Sequence, residues 1–160
     1  MPQIVEPGEI KDTIENIVAR ASLDILIVSP VIQLTESMFI KIAEASVRSV
    51  KISILCATMP DPAAAKLLSV IKNLRLNVSE NINAKCYFNE SSALITSMGL
   101  DDMINTMAIN TGIMISTTDD NGLYNSLLKC FQKQFNSSLR VLLDPCSDEQ
   151  KIVSETTYRG

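Results

Sequence analysis

The sequence comprises 160 residues, 46% of them hydrophobic, which is enough for one compact domain, 1–160, with a sizeable core. Its 14 basic and 18 acidic residues leave a net charge of −4, which argues against strong attraction to nucleic acid or to an anionic membrane. The first residues lack the basic and apolar regions of a signal peptide, and no apolar run approaches the roughly 18 residues that cross a bilayer. We therefore expect a soluble, cytoplasmic protein.

Histidine is absent, and the four cysteines are scattered along the chain. Without a CxxC pair or a histidine, a zinc site would require all four thiolates from distant positions, so the sequence predicts no metal and no cofactor. Cys56, Cys86 and Cys130 lie in apolar runs and are expected to be buried and reduced. Cys146 lies in a polar stretch and is expected to be exposed.

A local basic patch remains compatible with this acidic composition. Its candidates are Lys66, Lys72, Arg75 and Lys85. Lysines between 66 and 75 are, however, more typical of the solvated face of a helix. We therefore do not predict binding to DNA.

The first half of the chain alternates amphipathic and apolar segments. Ile10, Ile14, Ile17 and Val18 recur at helical spacing, with charged residues on the opposite side. The apolar runs are short and rich in Ile and Val, as expected of strands covered on both faces. The predicted elements, in chain order, are a helix at 9–21, a strand at 23–29, a helix capped by Thr35, a strand at 50–57, a helix from Pro62 to about residue 74, and a brief edge strand at 76–78.

The second half predicts a hairpin, a further strand and a last helix. The hairpin strands at 82–88 and 93–97 are joined by a polar turn, and the two-residue period of strands puts Asn83 and Lys85 on one face. The later segments, in chain order, are an irregular stretch at 101–110, a strand at 112–116, a helix beginning at 119–122 with an apolar stripe of Leu123, Leu127, Cys130, Phe131 and Phe135, a segment at 139–143 that suits an added strand or a partner contact, and a polar, frayed tail at 144–160. This alternation indicates an α/β fold with helices on both faces of a sheet.

The stretch 83–100, NAKCYFNESSALITSMGL, contains the most informative residues. Asn83 and Lys85 are separated by one residue, Glu90 follows after four more, and Ser97 lies in a short turn beyond them. This pattern resembles the phospholipase D superfamily, in which His-x-Lys-x₄-Asp is followed by Gly-Ser-x-Asn.

The resemblance implies a role for each matched residue. Asn83 stands in place of the nucleophilic histidine, Lys85 matches the phosphate-binding lysine, and Glu90 replaces the aspartate. Ser97 retains the serine of the turn, and Asn110 stands where the family usually carries a glutamate before its next strand.

The resemblance covers about residues 10–135, because ILIVSP at 25–30 and RSVKISI at 48–54 are similar to the first two strands of the family. It implies a three-layer α/β/α sandwich with a mixed sheet and a core at about 9–136. In the enzymes of the family two such motifs meet across a twofold axis. A chain with a single motif is therefore expected to form a homodimer that brings two copies of Lys85 and Ser97 together.

The missing imidazole decides the functional prediction. The family's reaction begins with attack of a histidine on phosphorus, and Ser97 has no base near it in the motif except Lys85. A single engineered substitution that replaced a histidine by Asn83 would not explain why Glu90, Gly99 and Asn110 also differ from the family pattern. The sequence therefore predicts a naturally silent site.

We expect a catalytically silent domain that binds a phosphate- or sugar-like small ligand, or that acts in dimerisation or regulation. In this interpretation Asn83, Lys85 and Ser97 form a vestigial anion pocket. In another, without a ligand, Asn83 hydrogen-bonds within the hairpin and Lys85 pairs with Glu90 or solvent. The alternative from a different class is a phosphodiesterase or nuclease with a non-standard active site.

Overall fold

The computed structural model describes residues 1–105, 107–146 and 151–153. Within them nine strands form one sheet, in the order β1-β7-β6-β5-β2-β3-β4-β8-β9. In chain order the strands are β1 (Gln3–Val5), β2 (Asp24–Val28), β3 (Lys51–Cys56), β4 (Leu74–Val78), β5 (Cys86–Asn89), β6 (Ser92–Thr96), β7 (Gly112–Ser116), β8 (Leu139–Leu142) and β9 (Lys151–Val153), and the helices are α1 (Ile10–Arg20), α2 (Glu36–Val47), α3 (Pro62–Ser69) and α4 (Asn121–Asn136).

The sheet has a parallel centre and antiparallel flanks. Strands β2, β3 and β4 run parallel, whereas β5, β6, β7 and β1 continue antiparallel on one side and β8 and β9 on the other. Side chains of β2 alternate between two cores. Ile25 and Ile27 pack with residues of α1, α2 and α3, while Leu26 and Val28 pack with residues of α4. The predicted three-layer α/β/α sandwich with a mixed sheet is confirmed.

Local sequence explains where the helices begin. Thr35, Asp61 and Asp120 each cap a helix by accepting the amide three residues further on, at 3.2, 2.7 and 2.9 Å. Pro62 occupies the first turn of α3, as predicted. The four isoleucine and valine residues that define the predicted stripe of α1 are all buried.

Three elements differ from the prediction. Helix α3 is shorter than the helix predicted at 62–74, since Asn73 adopts a positive φ of 60° and directs the chain into β4. Strand β4 is not an edge strand but lies between β3 and β8. The strand predicted at 82–88 begins only at Cys86, because that residue pairs with Val28, where its neighbour β2 ends.

The tail predicted to be polar and frayed at 144–160 contains a strand. Within 144–160, residues Lys151–Val153 form β9, which pairs antiparallel with β8 at one edge of the sheet. Residues 147–150 and 154–160 of the predicted tail lie outside the described residues. At the other edge β1, a strand that the sequence pattern did not predict, pairs with β7.

The buried side of α4 is only partly as predicted. Leu123 and Cys130 are exposed, whereas the other three residues of the predicted stripe pack toward the sheet. Tyr124 is buried instead of Leu123, because its hydroxyl reaches the main-chain oxygen of Asn89, the last residue of β5. Neither α4 nor any other described helix is long and apolar enough to span a membrane.

The cysteines follow the prediction in three of four positions. Cys56 and Cys86 are buried as predicted, and burial raises the pKa of each thiol to about 12. Cys146 is exposed as predicted. Cys130 was predicted to be buried and is exposed, because it lies on the solvent side of α4.

Candidate functional site

Lys85 lies at the end of the sheet where the parallel strand β2 finishes. It directly precedes β5, whose first residue pairs with the last residue of β2. The loop after β6, residues 97–102, contacts the Lys85 side chain. In α/β sheets the carboxyl ends of the strands are a common location for ligand sites.

The Lys85 ammonium is held by two oxygens of this loop. Nζ donates to Asp102 Oδ2 at 2.7 Å and to the main-chain oxygen of Ser97 at 3.0 Å. Asp102 Oδ2 also accepts a hydrogen bond from the Gly99 amide at 2.7 Å. Burial favours a higher pKa for Asp102, but the hydrogen bonds from Lys85 and Gly99 and the charge of Lys85 outweigh burial and lower the pKa. The charge of Lys85 is therefore balanced within the chain.

Gly99 is required by the close packing of this loop. A Cβ atom at this position would lie 2.8 Å from Asp101 Oδ1, 3.1 Å from Ser29 Oγ and 3.3 Å from Lys85 Cε. In the sequence pattern Gly99 stands where the family has the terminal asparagine. The structure shows that the space near Lys85 is occupied by Asp102 instead.

Ser97 and Asn110 form the second part of the site. Ser97 Oγ donates to Asn110 Oδ1 at 2.9 Å and accepts from the Thr111 amide at 3.1 Å. Asn110 is 6% exposed. Its Nδ2 is buried and has no hydrogen-bond partner among the described atoms. Since an unpaired buried donor costs about 1–3 kcal/mol, an acceptor atom of a bound molecule would stabilise this arrangement.

Two features expected of a catalytic site of this type are not found in the described part of the site, namely a histidine and a cluster of metal-ligating side chains. Asn83 is exposed, and within the described residues its side chain makes no hydrogen bond, so the bond expected within the hairpin is absent. Histidine does not occur in the sequence. In residues 1–105, 107–146 and 151–153, no three acidic or cysteine side chains are grouped closely enough to hold a metal ion.

Glu90 lies at the opposite end of β5 from Lys85. Its carboxylate accepts from the Ser22 amide at 2.9 Å, the Ser22 hydroxyl at 2.8 Å and the Leu23 amide at 3.2 Å. Burial favours a higher pKa, but hydrogen bonds from its own amide and from Ser22 and Leu23 outweigh burial and lower the pKa of Glu90 to about 2. The interpretation without a ligand expected Lys85 to pair with Glu90 or solvent. Lys85 instead pairs with Asp102, and Glu90 anchors the start of β2.

Sequence reasoning missed three residues that hold the loop. Asp102 lies in the stretch 101–110 that the sequence predicts to be irregular, and no local pattern predicts its contact with Lys85. Ser29 Oγ accepts from the Leu100 amide at 3.0 Å. The buried Tyr87 hydroxyl donates to the Met98 oxygen at 3.0 Å, and burial together with nearby aspartate charges raises its pKa. Each of these contacts depends on which strands are neighbours.

No protein-family model matches the sequence, and no curated protein matches it. The structure is similar to Nuc from Salmonella typhimurium, a phospholipase D family member, with a TM-score of 0.73 over 88% of this chain and 98% of Nuc, at 14% sequence identity. The chain has the phospholipase D-like fold. The structure is also similar to NucT from Helicobacter pylori, with a TM-score of 0.71 over 86% of this chain and 97% of NucT, at 13% identity.

A third similar structure is TrmBL2, an archaeal chromatin protein described with a novel mode of DNA binding. Its TM-score is 0.56 over 83% of this chain and 52% of TrmBL2, at 13% identity. At such identities the likeness concerns the fold alone. Within the phospholipase D-like fold of this chain, Lys85, Ser97 and Asn110 are linked through one loop, whereas Glu90 lies apart from them.

Proposed function

We propose that this chain is a catalytically silent module with a phospholipase D-like fold, which binds a small phosphate- or sugar-like ligand as a homodimer. The pairing of Lys85 with Asp102, in a chain without histidine, carries this proposal. The lysine that would hold a phosphoryl group is already bound by a carboxylate of the same chain.

The hydrogen bonds of Ser97 support the absence of catalysis. Its Oγ donates to the Asn110 amide oxygen, and a neutral amide is not a base that could remove the hydroxyl proton. Lys85 Nζ bonds to the main-chain oxygen of Ser97 rather than to Oγ. The arrangement therefore lacks the contact between nucleophile and base that a serine–lysine mechanism requires.

A donor of Asn110 that has no partner among the described residues supports ligand binding. Asn110 Nδ2 is buried, so a ligand acceptor reaches it only when the residues around it shift, whereas Asp102 provides carboxylate oxygens for donors. A hydroxylated ligand can use both groups without separating Lys85 from Asp102. A phosphate can use the third N–H donor of Lys85, which bonds to Asp102 and Ser97 through two, or it can replace the Asp102 carboxylate. Both ligand types stay within the proposal.

The ligand proposal is tested by thermal unfolding with inorganic phosphate and a panel of hexoses. A ligand at 100 times its dissociation constant stabilises the folded chain by about 2.7 kcal/mol, which corresponds to a rise in melting temperature of roughly 5–10 °C. We expect the rise to disappear in Asn110→Ala and to persist in Lys66→Ala, which removes an exposed charge on α3.

Two outcomes would contradict this proposal. The first is the absence of any stabilisation by phosphate or by the sugars. The second is metal-independent cleavage of a model phosphodiester that is lost in Lys85→Ala, which would support the alternative of an active phosphodiesterase or nuclease. Nucleic acid is not included as a ligand because the net charge is −4, although TrmBL2 is described as binding DNA.

Exposed apolar residues near the Ser97 loop support the homodimer. Ile4, Ile113 and Ile95 are cross-strand neighbours on β1, β7 and β6, and all three are exposed. Met107 and Ile109, in the loop before β7, are 87% and 88% exposed. Because this surface is apolar, contact with its own copy would remove it from water without leaving a charge unpaired.

Sedimentation equilibrium at micromolar concentration tests the homodimer. We expect the parent chain to sediment as a dimer and Ile4→Asp/Ile109→Asp to dissociate at least about tenfold more readily, since burying two carboxylates costs more than 1.4 kcal/mol. Val47→Asp is the matched control, because Val47 is 85% exposed at the end of α2. A monomeric parent chain, or an equal effect of Val47→Asp, would contradict the dimer.

A further inference from the structure

A cleft of about 660 Å³ lies between α4 and the sheet, beside the end of β5 from which Glu90 follows. Leu128, Gln132 and Asn136 border it from α4, and because they are four residues apart they share one side of the helix. Asp24 and Lys51 border it from the sheet. This α4 cleft therefore lies between two layers of the fold.

Two opposite charges stand side by side at the sheet wall of the α4 cleft. Asp24 and Lys51 are direct neighbours in the register of the parallel strands β2 and β3, and adjacent strands lie about 4.8 Å apart. Leu26, two residues after Asp24, and Leu55, four residues after Lys51, both pack in the core beneath α4. Since residues two or four apart in a strand share a face, both charged side chains project toward α4.

Asp24 and Lys51 do not form an ion pair with each other. Among the described residues, the Asp24 carboxylate and the Lys51 ammonium make no hydrogen bond and no ion pair. Burial and the charges of Glu90 and Asp24 raise the pKa of Tyr124, which places both carboxylates near this tyrosine. The Glu90 carboxylate already accepts from the amide and the hydroxyl of Ser22. Asp24 is therefore the carboxylate of this wall that can accept from a ligand.

The helix wall of the α4 cleft offers amide groups. The side chains of Gln132 and Asn136 are exposed, and an amide can both donate and accept hydrogen bonds. Arg75 also borders the cleft, but its guanidinium lies 5.3 Å from the centroid of the Phe135 ring and its Nε donates to Asn77 Oδ1 at 3.3 Å. Arg75 thus belongs to the packing of α4 on the sheet. The volume of the cleft lies within the usual range of small-molecule sites.

We propose that the α4 cleft binds a free α-amino acid in its zwitterionic form, with a polar side chain directed toward α4. An α-amino acid carries an ammonium and a carboxylate on the same carbon atom, so its two charges are close enough together to meet both Asp24 and Lys51. The ammonium donates to Asp24, and the carboxylate accepts from Lys51. The side chain hydrogen-bonds to Gln132 or Asn136. This site goes beyond the proposed function, because Lys85 lies at the other end of β5.

Isothermal titration of the full chain with L-glutamine tests the site. N-acetyl-L-glutamine lacks the ammonium and L-glutaminamide lacks the carboxylate. We expect each derivative to bind at least about tenfold more weakly than L-glutamine, since one charge-assisted contact is lost. L-leucine is also expected to bind more weakly, because its side chain cannot form a hydrogen bond with the amides of α4.

Two variants assign the two charges of the ligand. Asp24→Asn is expected to bind L-glutamine at least about tenfold more weakly and to lose the preference for L-glutamine over its N-acetyl derivative. Lys51→Gln is expected to lose the preference over L-glutaminamide in the same way. Asp12→Asn and Lys66→Gln remove equal charges from exposed positions on α1 and α3, on the other face of the sheet, and are expected to bind like the parent chain.

The proposal is overturned if L-glutamine does not bind at millimolar concentration, or if both derivatives bind as tightly as L-glutamine. It is equally overturned if Asp24→Asn and Lys51→Gln bind like Asp12→Asn and Lys66→Gln. Binding of L-leucine as tight as that of L-glutamine would contradict the polar side chain. The comparison of the derivatives needs only the parent chain, so it decides the proposal even if a variant fails to fold.

Discussion

Replacing Asp102 by alanine is expected to make the Lys85 site bind inorganic phosphate about tenfold more tightly. In the parent chain the Asp102 carboxylate accepts from Lys85 Nζ and from the Gly99 amide, each at 2.7 Å. These are the two donors that a phosphate oxygen would use. The substitution frees both donors and removes a negative charge that repels phosphate, and 1.4 kcal/mol from these changes is a factor of ten.

Calorimetric titration of the full chain with inorganic phosphate checks this result. Asp12→Ala is the matched control, because Asp12 is exposed on α1 and its removal changes the net charge equally. Adding Lys85→Ala to Asp102→Ala is expected to abolish the gain. Equal phosphate affinities of the Asp102 and Asp12 variants would show that Asp102 does not compete for Lys85.

If the gain is observed, Asp102 acts as an internal substitute for a phosphoryl group. Lys85, which matches the phosphate-binding lysine of the phospholipase D pattern, would then hold the loop at 97–102 in this chain. Ligand selection would follow from this, because a ligand must either accept from Asn110 without displacing Asp102 or carry enough negative charge to replace it.

Replacing Asn89 by alanine is expected to lower the free energy of unfolding by about 3 kcal/mol. Asn89 is 4% exposed, and its Oδ1 accepts from the Ser91 and Ser92 amides at 3.0 and 2.8 Å and from both hydroxyls. Its Nδ2 donates to the Ile17 oxygen of α1 at 2.9 Å. Alanine leaves these main-chain groups without partners, which corresponds to a decrease in melting temperature of roughly 6–12 °C.

Urea unfolding measures this effect against Asn125→Ala. Asn125 is exposed on α4, and among the described residues its Nδ2 donates only to Asn121 Oδ1 within the same helix. Its substitution is expected to change stability by less than about 0.5 kcal/mol. A cost for Asn89→Ala no greater than that for Asn125→Ala would contradict a structural role of the Asn89 side chain.

The turn between β5 and β6 thus has a structural role that its sequence only partly predicts. Its residues were recognised as a polar turn, but the local pattern does not show that Asn89 binds α1 or that Glu90 binds the start of β2. Glu90 matches a motif position in the sequence, yet its contacts are with Ser22 and Leu23 rather than with Lys85. The spacing of Lys85 and Glu90 in the sequence therefore did not predict that they make their contacts at opposite ends of β5.

The apolar pattern of the sequence was sufficient to predict the layers of the fold. The stripe of α1, the buried runs of β2 and β3 and the cap at Thr35 are local features, and each occurs where the pattern predicts it. The elements that differ are those decided by a neighbour. Strand β4 is interior because β8 pairs with it, and β9 forms because β8 offers an open edge.

By itself the sequence determined that this chain has no imidazole and that Lys85 and Ser97 match the lysine and serine of the phospholipase D pattern. Only the tertiary structure decided that Asp102 neutralises Lys85 and that Arg140 lies near Arg75. The physical reason is that apolar burial follows the local period of helices and strands, whereas the partner of a charge is set by strand order and by the return of a loop, which bring together residues that are distant in the chain.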